Sequence, residues 1–176
     1  MNRMDESTTR TLIIIRHAKS DWSHELPDLR RPLSPRGLVD APAVGQWLIQ
    51  AELAPQITLV SPATRTQQTW ALIAAQFPNG PSHSLDLRLY DASWRTMLKV
   101  AKSLPLEHSI AAIVGHNPGS HGLALSLAGQ GSIEAHCERL GRKFPTSGVA
   151  VLRVQGEWAD LDVASARLTD FVAPRG

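Results

Sequence analysis

LIIIRHAKS, residues 12–20, runs from four apolar side chains straight into an arginine and a histidine. Three of the four are isoleucine. A β-branched run with no polar interruption predicts a strand buried on both faces, of the kind found in sheets with helices packed on each side. Ligands of open α/β sheets bind beyond the carboxyl ends of the strands. Arg16 and His17 stand at that end. A guanidinium is a fork for phosphate oxygens, and a neutral imidazole is a nucleophile.

The chain has 176 residues, which suits one domain with a full core. A hydrophobic content of 43% and a charged content of 19% are ordinary for a soluble globular protein. The net charge is +2 and the sequence pI about 9.0. That is too mild for a nucleic-acid partner, and there is no dense Lys/Arg block. A single cysteine, Cys137, excludes an internal disulfide and any Cys cluster for a metal. No apolar run approaches the ~20 residues that span a bilayer. The opening MNRMDESTTR lacks the apolar core of a signal peptide. These features predict a flexible N-terminus over residues 1–10 and one domain over residues 11–176. They also predict a cytoplasmic location with no membrane partner.

Residues 18–31 carry no period and predict a loop leaving the first strand. Ser34 caps a helix with Pro35 in its first position and Leu38, Ala41, Gly45 and Leu48 on one face. Pro42 is expected to bend or shorten it. ITLV at 57–60 predicts a second, parallel strand. Ser61 and Pro62 then read as a cap and first helical residue, with Arg65 in the first turn. Leu85–Tyr90 is a candidate short strand. Ser93 caps a helix with Met97, Leu98, Ala101 and Leu104 inward. Ser109–Gly115 predicts a third buried strand, ending in His116, with a helix through Leu123–Leu127. Residues 129–144 show no regular pattern. Val149–Val154 and Trp158–Val163 read as a hairpin turned at residues 155–157.

Repeated strand–loop–helix units give an α/β class, three layers around a mainly parallel sheet. If the three strands are neighbours, Arg16, His17, Arg65 and His116 converge. Two arginines offer bidentate contacts to a phosphoryl group. One histidine can attack phosphorus while the other stabilises charge on the oxygens. That chemistry requires no metal and no cofactor. His24, His83, His108, His121 and His136 have no such support, and Cys137 has no assigned base.

RHAKSDWS at 16–23 resembles the RHG-type signature of the histidine phosphatase superfamily, which includes the phosphoglycerate mutases. SPATRTQQT at 61–69 resembles its second signature and GHNP at 115–118 its third. DLRRPLSPRG at 28–37 is similar to the short SixA-like branch, the phosphohistidine phosphatases. The signatures stand in the expected order. The resemblance implies a phosphoglycerate mutase-like fold and a phosphatase that works through a phosphohistidine intermediate on His17. It implies that Arg16, Arg65 and His116 bind the phosphoryl oxygens, with Ser23 as a further contact. Ala18 departs from the usual glycine, which is tolerable only where the backbone does not need positive φ. Asp21 and Asp91 are, by position, the candidates for the proton-donating acid. Phosphohistidine leaves as an imidazole, of unperturbed pKa ~6.5, so it needs that acid less than an alcohol does.

The partner implied is a phosphorylated protein, with phosphohistidine as the substrate group. The alternatives are a phosphatase of a small phosphorylated metabolite and an inactive phosphoprotein-binding module. Mutase-type relatives cover the pocket with a long insertion after the second signature's helix. Here residues 77–83 form only a short Pro/Gly loop. The arginines of residues 30–36, with Lys19, are expected to face an acidic partner.

Overall fold

Leu12, Ile13, Ile14 and Ile15 are all fully buried in the computed structural model, which describes residues 9–175. They lie in β1 (Thr9–Arg16). Successive side chains of a strand point to opposite faces, and the two faces of β1 feed different cores. Leu12 and Ile14 pack with Met97, Val100, Leu123 and Leu140; Ile13 and Ile15 pack with Val44, Leu48, Trp70 and Ile73.

Two helices therefore cover one face, α1 (Pro35–Gln50) and α2 (Thr64–Ala74). Three cover the other: α3 (Trp94–Lys102), α4 (Gly119–Leu127) and α5 (Glu134–Arg142). Between them lies a six-stranded sheet formed by β1, β2 (Ile57–Val60), β3 (His83–Leu85), β4 (Ile110–Gly115), β5 (Val149–Gln155) and β6 (Ala166–Val172). Its order is β3-β2-β4-β1-β5-β6. The first four in that order are parallel; β5 pairs antiparallel with β1, and β6 antiparallel with β5, so β5 alone runs against the rest. This is the three-layer, mainly parallel architecture expected. The order also supplies the neighbour relationship that the site requires. β4 sits between β1 and β2, with Arg16 opposite Gly115 and Val60 opposite Val114, so three strand ends finish at one level.

Several local expectations need correction. Thr9 and Arg10 belong to β1, and the Arg10 side chain donates to the carbonyls of Gly156 and Leu106. The rest of the predicted flexible start, residues 1–8, lies outside the described residues. Ser34 does cap α1, accepting from the Gly37 N–H. The helix runs its full sixteen residues through Pro42, however, and Leu38 faces solvent at 47% exposure while Val44 takes the buried position. Ser61 and Pro62 precede α2 rather than cap it; the cap position is Ala63. The strand expected over Leu85–Tyr90 is β3, ending at Leu85, followed by a 3-10 turn over Leu87–Leu89.

Residues 129–144 contain α5, whose only buried residue is Leu140. Of its apolar residues Ala135, Cys137 and Leu140, only the last is fully buried, so the stripe is too narrow to read. The hairpin partner of β5 is β6, not Trp158–Val163. Residues 158–160 form a 3-10 turn that buries Trp158 in the core, and its indole N–H donates to the His108 carbonyl.

Candidate active site

Each key side chain is delivered by the end of a strand. Backbone bonds carry the sheet past Arg16: its N–H donates to Gly148, the His17 N–H donates to Gly115, and the Ser147 N–H donates to the His17 carbonyl. His17 is thus clamped between β4 and the loop before β5. The next residue is fixed by Thr69, whose hydroxyl accepts from the Ala18 N–H at 3.0 Å and donates to the Arg65 carbonyl at 2.6 Å. One hydroxyl ties the end of β1 to the first turn of α2. The Ala18 methyl is fully buried against Leu33 and Ala41, and Ala18 has no positive φ, so the departure from glycine costs nothing here.

His17 Nδ1 lies 2.7 Å from the Ala18 carbonyl oxygen. A carbonyl only accepts, so Nδ1 carries the proton and Nε2 keeps its lone pair. Burial pushes the imidazole pKa down to about 3, helped by the positive groups around it. His17 is therefore neutral at physiological pH and equipped to attack an electrophile.

His116 stands beside it, with ring centroids 5.2 Å apart. Its Nε2 lies 2.7 Å from the Ser61 hydroxyl, and Tyr90 packs edge-on against the ring. Burial, then the neighbouring arginines, lower its pKa to about 4. Arg65 is 5% exposed and reaches Asp28, donating to its carbonyl at 2.7 Å and its carboxylate at 3.0 Å. Arg16 donates to the Phe144 carbonyl at 2.8 Å.

These residues line a cavity of about 200 Å³. It adjoins a second of about 260 Å³ formed with Asp28, Tyr90 and Asp91. Arg16, His17, Arg65 and His116 are thus brought together. Asp91 lines the adjoining cavity. Asp21 and Ser23 are not brought in. Ser23 is exposed and bonds to Asp21, which also pairs with His24 at the surface. The expected phosphate contact from Ser23 is corrected accordingly: the Asx-type turn at Asp21 holds its hydroxyl away from the pocket.

Other side chains complete the site. Arg31, expected at the rim, is 7% exposed and lines the pocket. It bonds to Ser20 and donates to Asp28 at 2.6 Å. Trp22, 72% exposed, lies over its guanidinium at 3.7 Å. Asp28 gathers Arg31, Arg65 and the Tyr90 hydroxyl. Burial raises its pKa, but those three donors outweigh that and hold the carboxyl well below the ordinary range. The only early signal for this network was the Asp-x-x-Arg spacing within DLRRPL.

Three arginines against one carboxylate leave the pocket positive. The Nε atoms of Arg16, Arg31 and Arg65 and Nδ1 of His116 are buried with no partner. An unpaired buried polar group costs about 1–3 kcal/mol, so this cluster is suited to a ligand rich in anionic acceptor oxygens. Among the described residues, no group of three or more His, Cys, Asp or Glu is arranged to hold a metal. No described helix is long and apolar enough to cross a membrane.

The model of the histidine phosphatase superfamily (branch 1) matches residues 12–104. The chain belongs to that superfamily. Within it, the chain is 39% identical over 162 residues to an uncharacterized protein of Mycobacterium tuberculosis, covering 92% of this chain and all of that one. The structure of a candidate phosphohistidine phosphatase SixA from Nakamurella multipartitia superposes with a TM-score of 0.84 at 30% identity, covering 96% and 98% of the two chains. A protein histidine phosphatase SixA complexed with tungstate has the same fold, with a TM-score of 0.75 at 18% identity over 94% and 97% of the chains. The architecture is that of the histidine phosphatases and phosphoglycerate mutases.

Proposed function

We propose that this histidine phosphatase superfamily member removes the phosphoryl group from phosphohistidine in proteins, passing it through His17. The observation that carries the reading is the neutral, buried His17. Its Nδ1 proton is held by Ala18 and its Nε2 is free, in a pocket where three guanidiniums converge. Nε2 attacks phosphorus; the bond from phosphorus to the substrate imidazole, protonated on its other ring nitrogen, breaks, and that ring leaves with the electron pair as a neutral imidazole. Arg16, Arg31, Arg65 and His116 hold the phosphoryl oxygens as charge builds on them. Water then attacks phospho-His17, giving inorganic phosphate and restoring the imidazole. The likeness to a SixA that holds tungstate, a tetrahedral oxyanion, supports such a pocket for phosphate.

Access supports a protein substrate. Only residues 75–82 separate α2 from β3, too few to build a lid, and Trp22 stands exposed at the mouth. A phosphorylated side chain on another protein can enter from outside. The test compares purified protein on a histidine-phosphorylated carrier protein and on a panel of phosphorylated metabolites. The expected kcat/KM is about 10²-fold higher for the phosphoprotein, or ~2.7 kcal/mol of transition-state discrimination. Equal or better turnover of a sugar phosphate would replace this reading with a metabolite phosphatase. Phosphoprotein binding without release from any substrate would leave a binding module.

A further inference from the structure

Next to the phosphoryl pocket lies another cavity, of about 350 Å³, lined by Arg16, Lys19, Arg36, Lys143, Pro145 and Thr146. It shares Arg16, Lys19 and Thr146 with the pocket that holds His17. Four cations line it and no carboxylate does. Arg36 is partly neutralised by Asp40 at 3.1 Å, and Asp40 is shared with Arg175. Lys19 and Lys143 form no ion pair among the described residues.

The walls are fixed. The Lys19 carbonyl accepts from the backbone N–H and the hydroxyl of Ser34. Gly37 lets α1 close on that carbonyl: a Cβ there would stand 2.1 Å from the oxygen. On the opposite side, the Phe144 carbonyl receives both Arg16 at 2.8 Å and the Asn117 amide at 2.9 Å. That bond couples the Lys143–Thr146 wall to the phosphoryl pocket.

We propose that this cavity is an anion subsite that receives the carboxylate of an aspartate or glutamate close to the phosphohistidine of the substrate protein. The proposal rests on the phosphohistidine reading above and adds a sequence preference to it. Lys19 and Lys143, which have no ion-pair partner among the described residues, favour an incoming carboxylate over a neutral or basic side chain, by attraction and by selection against like charge. The subsite is continuous with the pocket through Arg16, so one substrate segment reaches both.

The test uses phosphohistidine peptides in which a single Glu is moved through the positions flanking the phosphohistidine, with an all-Ala peptide as reference. At the matching position Glu is expected to raise kcat/KM about tenfold, a factor typical of one well-placed charge contact. Lys143→Glu is expected to abolish that preference, and to leave hydrolysis of a small aryl phosphate unchanged. No positional preference, or one that survives Lys143→Glu, overturns the subsite while leaving the phosphatase reading intact. If no peptide is hydrolysed but the aryl phosphate is, the phosphohistidine reading fails. The subsite is then judged by inhibition of aryl phosphate hydrolysis by the same peptides. Stronger inhibition by the matched Glu peptide, lost in Lys143→Glu, supports it; equal inhibition overturns it. An effect of Lys143→Glu confined to small phosphate esters that carry a second anion also overturns it, in favour of a metabolite.

Discussion

The hydroxyl of Ser61 lies 2.7 Å from Nε2 of His116, although 55 residues separate them in the chain. If the hydroxyl donates, the ring proton resides on Nδ1, the nitrogen that has no protein partner. That is the tautomer able to donate to a phosphoryl oxygen. Ser61→Ala is expected to lower kcat about tenfold, as loss of a positioned donor does in part, with a smaller change in KM. Nitrogen chemical shifts of His116 should show a mixed tautomer in the variant. An unchanged shift pattern would make Ser61 a packing residue only.

His17→Ala is expected to abolish turnover, because the other pocket imidazole has its Nε2 tied to Ser61 and the Ser20 hydroxyl is held by Arg31. Wild-type protein quenched during turnover should carry phosphate that is labile in acid and stable in base, and peptide mapping should place it on His17. Label on Cys137 or on a serine would refute the mechanism.

Arg16→Ala, Arg65→Ala and His116→Ala are each expected to reduce kcat/KM by about 10²-fold, the usual loss for one preorganised charge-stabilising donor. Vanadate should inhibit as a mimic of five-coordinate phosphorus, and EDTA should have no effect. Activity that depends on added Mg²⁺ or Zn²⁺ would contradict this.

Asp91 and Asp21 separate cleanly as candidate acids. Asp91 borders the adjoining cavity, whereas Asp21 is tied to Ser23 and His24 at the surface. Asp91→Asn is expected to slow hydrolysis of an alkyl phosphate by about tenfold or more, within the usual yield of general acid catalysis, and to affect phosphohistidine far less. Asp21→Asn should change neither. An equal loss on both substrates would give Asp91 a binding role instead.

Acid should act on stability through the two pocket histidines. Their pKa values lie near 3 and 4 in the folded chain, against about 6.5 when unfolded. Above pH 6.5 both states are neutral and nothing is lost. Below it, the unfolded chain takes up protons that the native pocket refuses, so stability falls from about pH 6.5 toward pH 4, by up to ~1.4 kcal/mol per pH unit for each histidine. Denaturant midpoints of wild type and of the His17→Ala, His116→Ala double variant, measured at pH 7 and pH 5, check this. The double variant should lose less stability between those two pH values. NMR titration should show neither imidazole protonating above pH 5.

The legible parts were those whose signal is local. The LIII run marks a strand buried on both faces, and burial of Ile13 with Ile15 and of Leu12 with Ile14 in separate cores is what such a run requires. Ser34 and Ser93 were readable as caps because a cap bonds three residues ahead. Arg16, His17, Arg65 and His116 were readable because Arg16 closes β1, His17 and His116 follow β1 and β4 directly, and Arg65 stands in the first turn of the helix after β2. In contrast, α5 fully buries only Leu140, and the chain between β5 and β6 inserts Trp158 into the core before the second strand begins, so neither announces its place in the fold by a local run.

The sequence by itself determined the α/β class and the four residues at the strand ends, since β-branched runs, caps and strand-end polar residues are consequences of neighbours within a few positions. Only the tertiary structure decided how that quartet is completed. Asp28 meets Arg65 across 37 residues and Tyr90 across 62, and Arg31 turns inward while Ser23 turns out. Such partners are set by the order of strands in the sheet and by the packing of α1 on the loop after β1. Hydrogen bonds that span so much chain leave no local pattern, because their energy appears only once the sheet has brought the ends together.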